Sequence, residues 1–524
     1  MKNYFLITLF TIINSFYFYA QDPQIEWQNT IGGNSEDYLY AMAKSVDGGY
    51  LLGGTSYSDS SGDKSENSLG DFDYWVVKIN SLGEIEWENT IGGNKAETLW
   101  SVAQTSDGGF ILGGTSESDI SGDKTEPSAG RDYWVVKLDV LGNIAWQNTI
   151  GGDYSDNIFS IKQTTDGGYI LGGSSNSNIS GEKTQDSKGI EDFWIVKLSN
   201  TGTVEWDKTV GGNNMDILQA IIQSSDGGYV VGGYSESEIS GDKSENPIGF
   251  TDYWVVKLSA TGEVEWENTI GGTGYESIYS IAETAEGGYI LVGPSTSNIS
   301  GDKSEDALGT DYWIVKINLS GQVEWDRTFG GEGADSAYSI QTAANNSFYI
   351  LGSSNSDICD DKTENSLGER DYWVLLINQF GNITWQNTIG GDNMDIGFPM
   401  LYENGSLLIG GHSRSNISGD KTENSNGERD FWVIKINPVL GVNDNELTSS
   451  LSIYPNPTEN ILQLNHKNHT IDGLKIFDTK GSLIKEFTSP KNTSSINISD
   501  LSSGVYFLQI SSEGKTVIKK FVKR

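Results

Sequence analysis

The chain of 524 residues has one cysteine, Cys359, and three histidines, against 64 glycines and 15 tryptophans. A single cysteine cannot close an intramolecular disulfide or supply a thiolate zinc site. Three histidines leave little for metal or triad chemistry. Basic residues are also scarce, 34 Lys and Arg against 72 Asp and Glu, for a net charge of −38. This deficit excludes a nucleic-acid binder that works by neutralising phosphates, and it argues against adhesion to anionic membranes. Beyond the N-terminus no apolar run is long enough to span a bilayer. What is left is a Gly- and Trp-rich chain with the texture of a β protein.

The N-terminus is the exception to this polarity. Met1, Lys2 and Asn3 precede an apolar run from Tyr4 to Ala20, and polar Gln21-Asp22-Pro23-Gln24 follows. This pattern fits a secretory signal peptide over 1–20, cleaved near Ala20–Gln21. A membrane anchor is the alternative, disfavoured because the run is short and interrupted by Asn14 and Ser15. No cysteine follows the run, so lipoprotein processing is not open to it, and the mature chain is expected to be soluble with no membrane span.

The body of the chain repeats itself. Trp27, Trp87, Trp146, Trp206, Trp266, Trp325 and Trp385 recur every 59 or 60 residues, and so do Trp75, Trp134, Trp194, Trp254, Trp313, Trp373 and Trp432. The remaining tryptophan, Trp100, falls where other copies have Tyr40, Phe159, Tyr279, Tyr338 and Phe398, and reads as filling an aromatic packing slot. Each copy holds four strand-like segments, among them a hairpin around Asp-Gly-Gly such as Asp107-Gly108-Gly109. Glycine supplies the positive φ that such a turn needs. Small residues, Ala41, Ser101, Ser160, Ala220, Ser280 and Ser339, suit a crowded innermost strand. Four antiparallel strands per copy, seven times over, predict an all-β fold: a seven-bladed β-propeller over 22–440. The first strand, Ile25 to Thr30, has no hairpin partner of its own, and the last copy, ending at Asp430 to Asn437, lacks that strand. The offset predicts that the N-terminal strand completes the last blade and closes the ring.

On these residues the body resembles the SBBP-type propeller repeat of secreted bacterial proteins. The likeness rests on Trp146, Thr149, Gly151, Gly152 and Asp156, on the hairpin Asp166 to Gly173, and on Trp194, Val196, Lys197, Leu198 and Gly202. It implies fold and secretion but no shared catalytic residues.

Three acidic series recur in the connections on one face of such a propeller. They are Asp63, Asp123, Glu182, Asp242, Asp302, Asp361 and Asp420, each followed by Lys; Asp73, Asp132, Asp192, Asp252, Asp311, Asp371 and Asp430; and Asp37, Glu97, Asp156, Asp216, Glu276, Asp335 and Asp395. Loop carboxylates can chelate calcium, which takes six to eight oxygens. Asp63, Asp73, Asp123, Asp132, Asp242, Asp252, Asp302, Asp311, Asp420 and Asp430 are the candidates. The favoured alternative is structural: aspartates cap turns, and the adjacent lysines form exposed ion pairs of small worth.

Catalysis needs unlike groups converging on one atom, so it should show as a break in the repeat. The breaks singled out are His412, Cys359, Glu369-Arg370 and Glu428-Arg429. They read as packing, drift and loop ion pairs, and the chain leans away from being an enzyme. A carboxylate pair for glycoside hydrolysis or a lyase remains the alternative.

From Leu451 the texture changes to short strands split by turns, expected to form a small β-sandwich of six or seven strands. From Gly441 onward there are 10 basic and 8 acidic residues, a balance of +2, so the rest of the chain carries −40. Tyr454, Pro455, Asn456 and Pro457 at the start, Ile498 to Ile510 with Gly504 and Tyr506, and the basic finish make this segment resemble the type A C-terminal sorting domain of the type IX secretion system of Bacteroidota. The resemblance implies type IX machinery as a partner and a secreted or cell-surface destination. The expected organisation is thus a signal peptide (1–20), a propeller (22–440), a linker (441–450) and a sorting domain (451–524). A monomer that binds an extracellular glycan or protein is expected, with calcium as a conceivable cofactor.

Overall fold

The computed structural model describes residues 23–438, 452–465, 470–477, 483–487, 494–512 and 515–524. The signal peptide and linker expected at 1–20 and 441–450 lie outside the described residues. The contacts divide the chain into one compact unit over Gln24–Pro438 and a second that contains the C-terminal segment.

Each repeat of the first unit folds into four antiparallel strands. In one copy they are Glu97–Gln104, Phe110–Ser116, Asp132–Leu138 and Ile144–Ile150, hydrogen-bonded in that order from the inside outward. The second and third strands are buried along their whole length. They therefore read as continuous β-branched and aromatic runs, as strands covered on both faces must. Residues 24–437 form seven such four-stranded sheets, a repeated-blade β-propeller arrangement. Neighbouring sheets share one core: Leu51, Tyr74 and Val76 of one pack with Leu112, Trp134 and Val136 of the next. The N-terminal strand Gln24–Ile31 pairs with Asp430–Asn437, placing Thr30 opposite Trp432, and makes up the fourth strand of the last sheet. Leu39 and Met42 of the first repeat share a cluster with Leu408, Phe431 and Val433 of the last.

Two glycines show how the repeat sequence sets the strand geometry. Gly108 turns the hairpin at φ +87°, and Asp107 Oδ1 accepts the Gly109 N–H at 3.0 Å. Gly114 lies opposite a register shift between Leu99 and Ser101. A Cβ there would sit 2.1 Å from the Thr98 carbonyl oxygen, so only glycine fits. The extra residue in that bulge is Trp100, and a bulge re-aims the side chain that it carries.

In the C-terminal unit Ser452–Tyr454, Ile461–Asn465 and Ser495–Asn497 form one sheet. Leu483–Phe487, Gly473–Phe477, Gly504–Ser512 and Lys515–Lys523 form the other. Leu462, Leu464 and Ile496 from the first meet Leu474, Ile476, Leu508, Ile510 and Phe521 from the second in a single core. Tyr454 ends the first strand, and Pro455 and Pro457 flank Asn456, whose Oδ1 accepts the Val522 N–H at 2.9 Å. Gly504 pairs with Lys523. Tyr506 stacks on Phe521 at 5.7 Å and donates its hydroxyl to the Ser502 carbonyl at 3.0 Å.

Candidate functional site

In six of the seven repeats a bulge on the innermost strand turns one side chain inward, and in the fifth Tyr279 takes that place just ahead of the short strand Ser280–Glu283. Tyr40, Trp100, Phe159, Gln219, Tyr279, Tyr338 and Phe398 together line a cavity of about 420 Å³. Ring contacts run from Phe159 to Trp100 (5.6 Å), Trp100 to Tyr40 (4.5 Å), Tyr40 to Phe398 (5.6 Å), Phe398 to Tyr338 (4.5 Å) and Tyr338 to Tyr279 (5.2 Å). Gln219 stands between Phe159 and Tyr279 in the repeat order and donates its amide to Ser277 Oγ at 3.2 Å. All seven are part-exposed. Trp100 does stand in an aromatic slot, packed between Tyr40 and Phe159, and the structure adds that this slot is the wall of a cavity.

A second cavity of about 450 Å³ adjoins the first and shares Phe159, Gln219 and Tyr279 with it. The small residues Ser160, Ala220 and Ser280 line it, as an innermost strand requires. Lys162 lines it too. Among the described residues the Lys162 side chain makes no hydrogen bond or ion pair; it is exposed to solvent in the cavity wall, and the protein around it pushes the ammonium pKa down. The equivalent positions are Ala43, Ala103, Ile222, Ala282, Gln341 and Leu401, all uncharged. Sequence reasoning missed both Lys162 and Gln219, although each breaks its own series and the search for breaks could have found them.

The acidic series sit elsewhere and do different work. Fourteen of the 21 carboxylates, those at the starts of first and third strands, are at most 3% exposed. Their Oδ2 or Oε2 atoms hold the loops: Leu69 N–H donates to Asp73 at 2.6 Å, and Gly33 N–H to Asp37 at 2.7 Å. Each third-strand acid faces the first-strand acid of the next sheet. Asp73 faces Glu97. Asp132 faces Asp156, Asp192 faces Asp216, Asp252 faces Glu276, Asp311 faces Asp335, Asp371 faces Asp395 and Asp430 faces Asp37. In the five Asp–Asp pairs 132/156, 192/216, 311/335, 371/395 and 430/37 both Oδ1 atoms are buried without a partner. One proton shared between the two would satisfy both atoms at once. Burial first, then the facing acid, raises Asp73 and Asp311 to about 7 and Asp132, Asp216, Asp252, Asp371 and Asp430 to about 6.

The lysines after the loop acids are not exposed, which corrects the surface ion pairs expected of them. Lys64, Lys124, Lys183, Lys243, Lys303, Lys362 and Lys421 are 1–2% exposed. Lys64 donates to Thr90 Oγ1 at 2.7 Å and Lys183 to Thr209 Oγ1 at 2.7 Å. Six of the seven stand 5.4–5.8 Å over the third-strand tryptophan of their own repeat. The loop acids themselves, at Asp63, Asp123, Asp242, Asp302 and Asp420, accept a glycine N–H of the short connection at 3.0–3.2 Å. The ten calcium candidates therefore fall into two places, half in these loop caps and half, Asp73, Asp132, Asp252, Asp311 and Asp430, in the buried pairs. Among the described residues no group of three or more His, Cys, Asp or Glu is placed to hold a metal ion.

The other breaks are structural neighbours of the cavity or of the loops. His412 is buried against Tyr38 (5.0 Å) and Phe398 (5.4 Å), and burial pushes its pKa down. Arg429 stands 4.6 Å over the Tyr38 ring, and Arg370 donates to the Ala334 carbonyl at 3.1 Å. Neither forms the loop ion pair with its adjoining glutamate that the sequence suggests. Cys359 is part-exposed, with its thiol on Asp360 at 3.3 Å.

Residues 452–524 match the secretion system C-terminal sorting domain family. Such a domain marks a protein for type IX export, so the chain is destined for the cell surface or the extracellular space. Over 295 residues, 51% of its length, the chain is 25% identical to the regulatory protein FlaEY of Caulobacter vibrioides. Over 269 residues, 42% of its length, it is 20% identical to an uncharacterized WD repeat-containing protein of Acanthamoeba polyphaga mimivirus. The matches span 30% and 19% of those two relatives. Among solved structures, Sqt1 from Chaetomium thermophilum is 11% identical at a TM-score of 0.41, covering 79% of this chain and 99% of that one. BamB from Moraxella catarrhalis is 11% identical at 0.35, covering 76% and 85%. No helix among the described residues is long and apolar enough to cross a membrane.

Proposed function

We propose that the mature protein is a closed seven-bladed propeller that acts outside the cell as a non-catalytic binding module, with the axial aromatic cavity as its ligand site. Three contacts between first and last repeats support closure: the pairing of Gln24–Ile31 with Asp430–Asn437, the Asp430–Asp37 carboxyl pair, and the Tyr40–Phe398 ring contact. The observation that carries the binding role is the lining of the cavity, six aromatic rings and one amide around about 420 Å³. Aromatic walls with a few polar tips suit a saccharide ring, whose C–H face lies on the rings while its hydroxyls reach Tyr, Trp and Gln groups. The loop carboxylates are read as turn caps, so calcium or a chelator should leave the melting temperature unchanged.

The test is an oligosaccharide binding screen on residues 22–440, followed by titration of the wild type and Trp100→Ala. Trp100 is the one tryptophan outside the two repeating series, so bound sugar should change the fluorescence of the wild type and leave the variant unchanged. Sugars that bind both proteins equally would overturn the axial assignment. Export is tested separately by deleting 452–524, which should abolish release to the surface or medium.

A further inference from the structure

We infer that the axial site selects an acidic saccharide, its sugar ring against the aromatic wall and its carboxylate on Lys162. This rests on the binding reading above and deepens it to a ligand class. Lys162 lines the cavity that adjoins the aromatic one, and both cavities share Phe159, Gln219 and Tyr279. A ligand spanning them touches apolar rings at one end and an ammonium group at the other.

Three observations point to an anion. First, Lys162 has no ion-pair or hydrogen-bond partner among the described residues, in a chain with more than twice as many acids as bases. Its ammonium is open to solvent in the cavity wall, so an incoming carboxylate can reach it and form a charge-assisted hydrogen bond. Second, the one carboxylate in the lining, Glu283, is already engaged, accepting from the backbone and hydroxyl of Ser225 at 3.1 and 2.6 Å. It forms no ion pair with Lys162. Third, the other six repeats carry uncharged residues at this position, Ala43, Ala103, Ile222, Ala282, Gln341 and Leu401. The fold therefore does not need a lysine there, unlike the seven buried loop lysines, which recur in every copy.

A neutral sugar would use the rings alone. A uronate adds the carboxylate that the lysine lacks. The ammonium is a point charge on a flexible stem and can follow the carboxylate of different uronates, so selectivity between epimers should be weaker than selectivity for charge.

The experiment titrates the full propeller, residues 22–440, with an oligogalacturonate and with a neutral galactose oligomer of equal length. Wild type, Lys162→Ala and Trp100→Ala are compared, with thermal melts confirming that each folds. Lys162→Ala reproduces the residue of three other repeats, so it should melt like the wild type. The wild type should bind the uronate about tenfold or more tightly than the neutral sugar, the difference expected of one charged hydrogen bond. Lys162→Ala should bring the uronate down to the neutral value and leave the neutral sugar unaffected. Trp100→Ala should weaken both. Equal binding of the two sugars by the wild type, with no effect of Lys162→Ala, overturns the acidic selectivity while leaving the binding reading intact. Failure of both sugars to bind, or binding untouched by Trp100→Ala, overturns the site itself.

Discussion

Between neighbouring sheets the protein repeats itself, whereas around its axis it does not. The inter-sheet layer has the same parts seven times: a buried carboxyl pair, a buried lysine and a third-strand tryptophan at 0% exposure. The axial wall uses Tyr, Trp, Phe, Gln, Tyr, Tyr and Phe in turn, and one repeat adds Lys162. A part that recurs in every copy meets a demand that every copy faces, which is packing against the next sheet. A part that differs between copies is free of that demand, so its chemistry is available for a ligand.

The largest effect that sharpens this contrast comes from truncating the constant layer. Trp134 is fully buried, touches Tyr74 at 4.9 Å and donates Nε1 to Gln147 at 3.0 Å. Trp134→Ala should cost about 3–5 kcal/mol in denaturant unfolding. The part-exposed Trp100, replaced in the same way, should cost about 1 kcal/mol or less. Similar losses at both positions would erase the distinction.

Next is the pH dependence of the carboxyl pairs. Their native pKa values of about 6 to 7 lie above the ordinary 3.8, so between those limits the native state holds more protons than the unfolded chain. Their stabilisation is complete below pH 4 and is lost as pH rises toward 7. Thermal melts should fall by roughly 5–15 °C between pH 4.5 and pH 8. A midpoint that rises over that interval would mean that the pairs do not share protons.

Asp311→Asn isolates one such pair. The amide keeps an oxygen for the Leu308 N–H, now 2.9 Å from Asp311, and supplies a permanent donor toward Asp335. Urea unfolding should show little change at pH 5 and a gain of about 1 kcal/mol at pH 8. A loss at both values would refute the shared proton.

The smallest effect belongs to the axis. Gln219→Phe, which makes the ring wholly aromatic, should move stability by no more than about 0.5 kcal/mol. Its consequence should appear in ligand binding, read by titration.

Much of the scaffold was legible in the chain. The period near 60, the Asp-Gly-Gly hairpins and the lone first strand specify four-stranded sheets and the pairing of the N-terminal strand with the last. Tyr454 to Pro457 and the segment around Gly504 and Tyr506 mark the sorting domain. The site was less legible. Trp100 reads as one more member of an aromatic packing slot, and only the bulge opposite Gly114 shows that this slot faces a cavity. The acids of the third and first strands look like loop carboxylates because each follows a polar connection that contains glycine, with nothing local to show that it will be covered.

The sequence alone therefore determined what depends on neighbours along the chain: strands, turns, period and the address for export. Only the tertiary structure decided what depends on neighbours across sheets. Asp73 meets Glu97 through the stacking of one sheet on the next, and Trp100 meets Tyr40 and Phe159 around the axis, although each is 59 or 60 residues away. Burial and facing charge are set by that stacking, and no local pattern of residues records them.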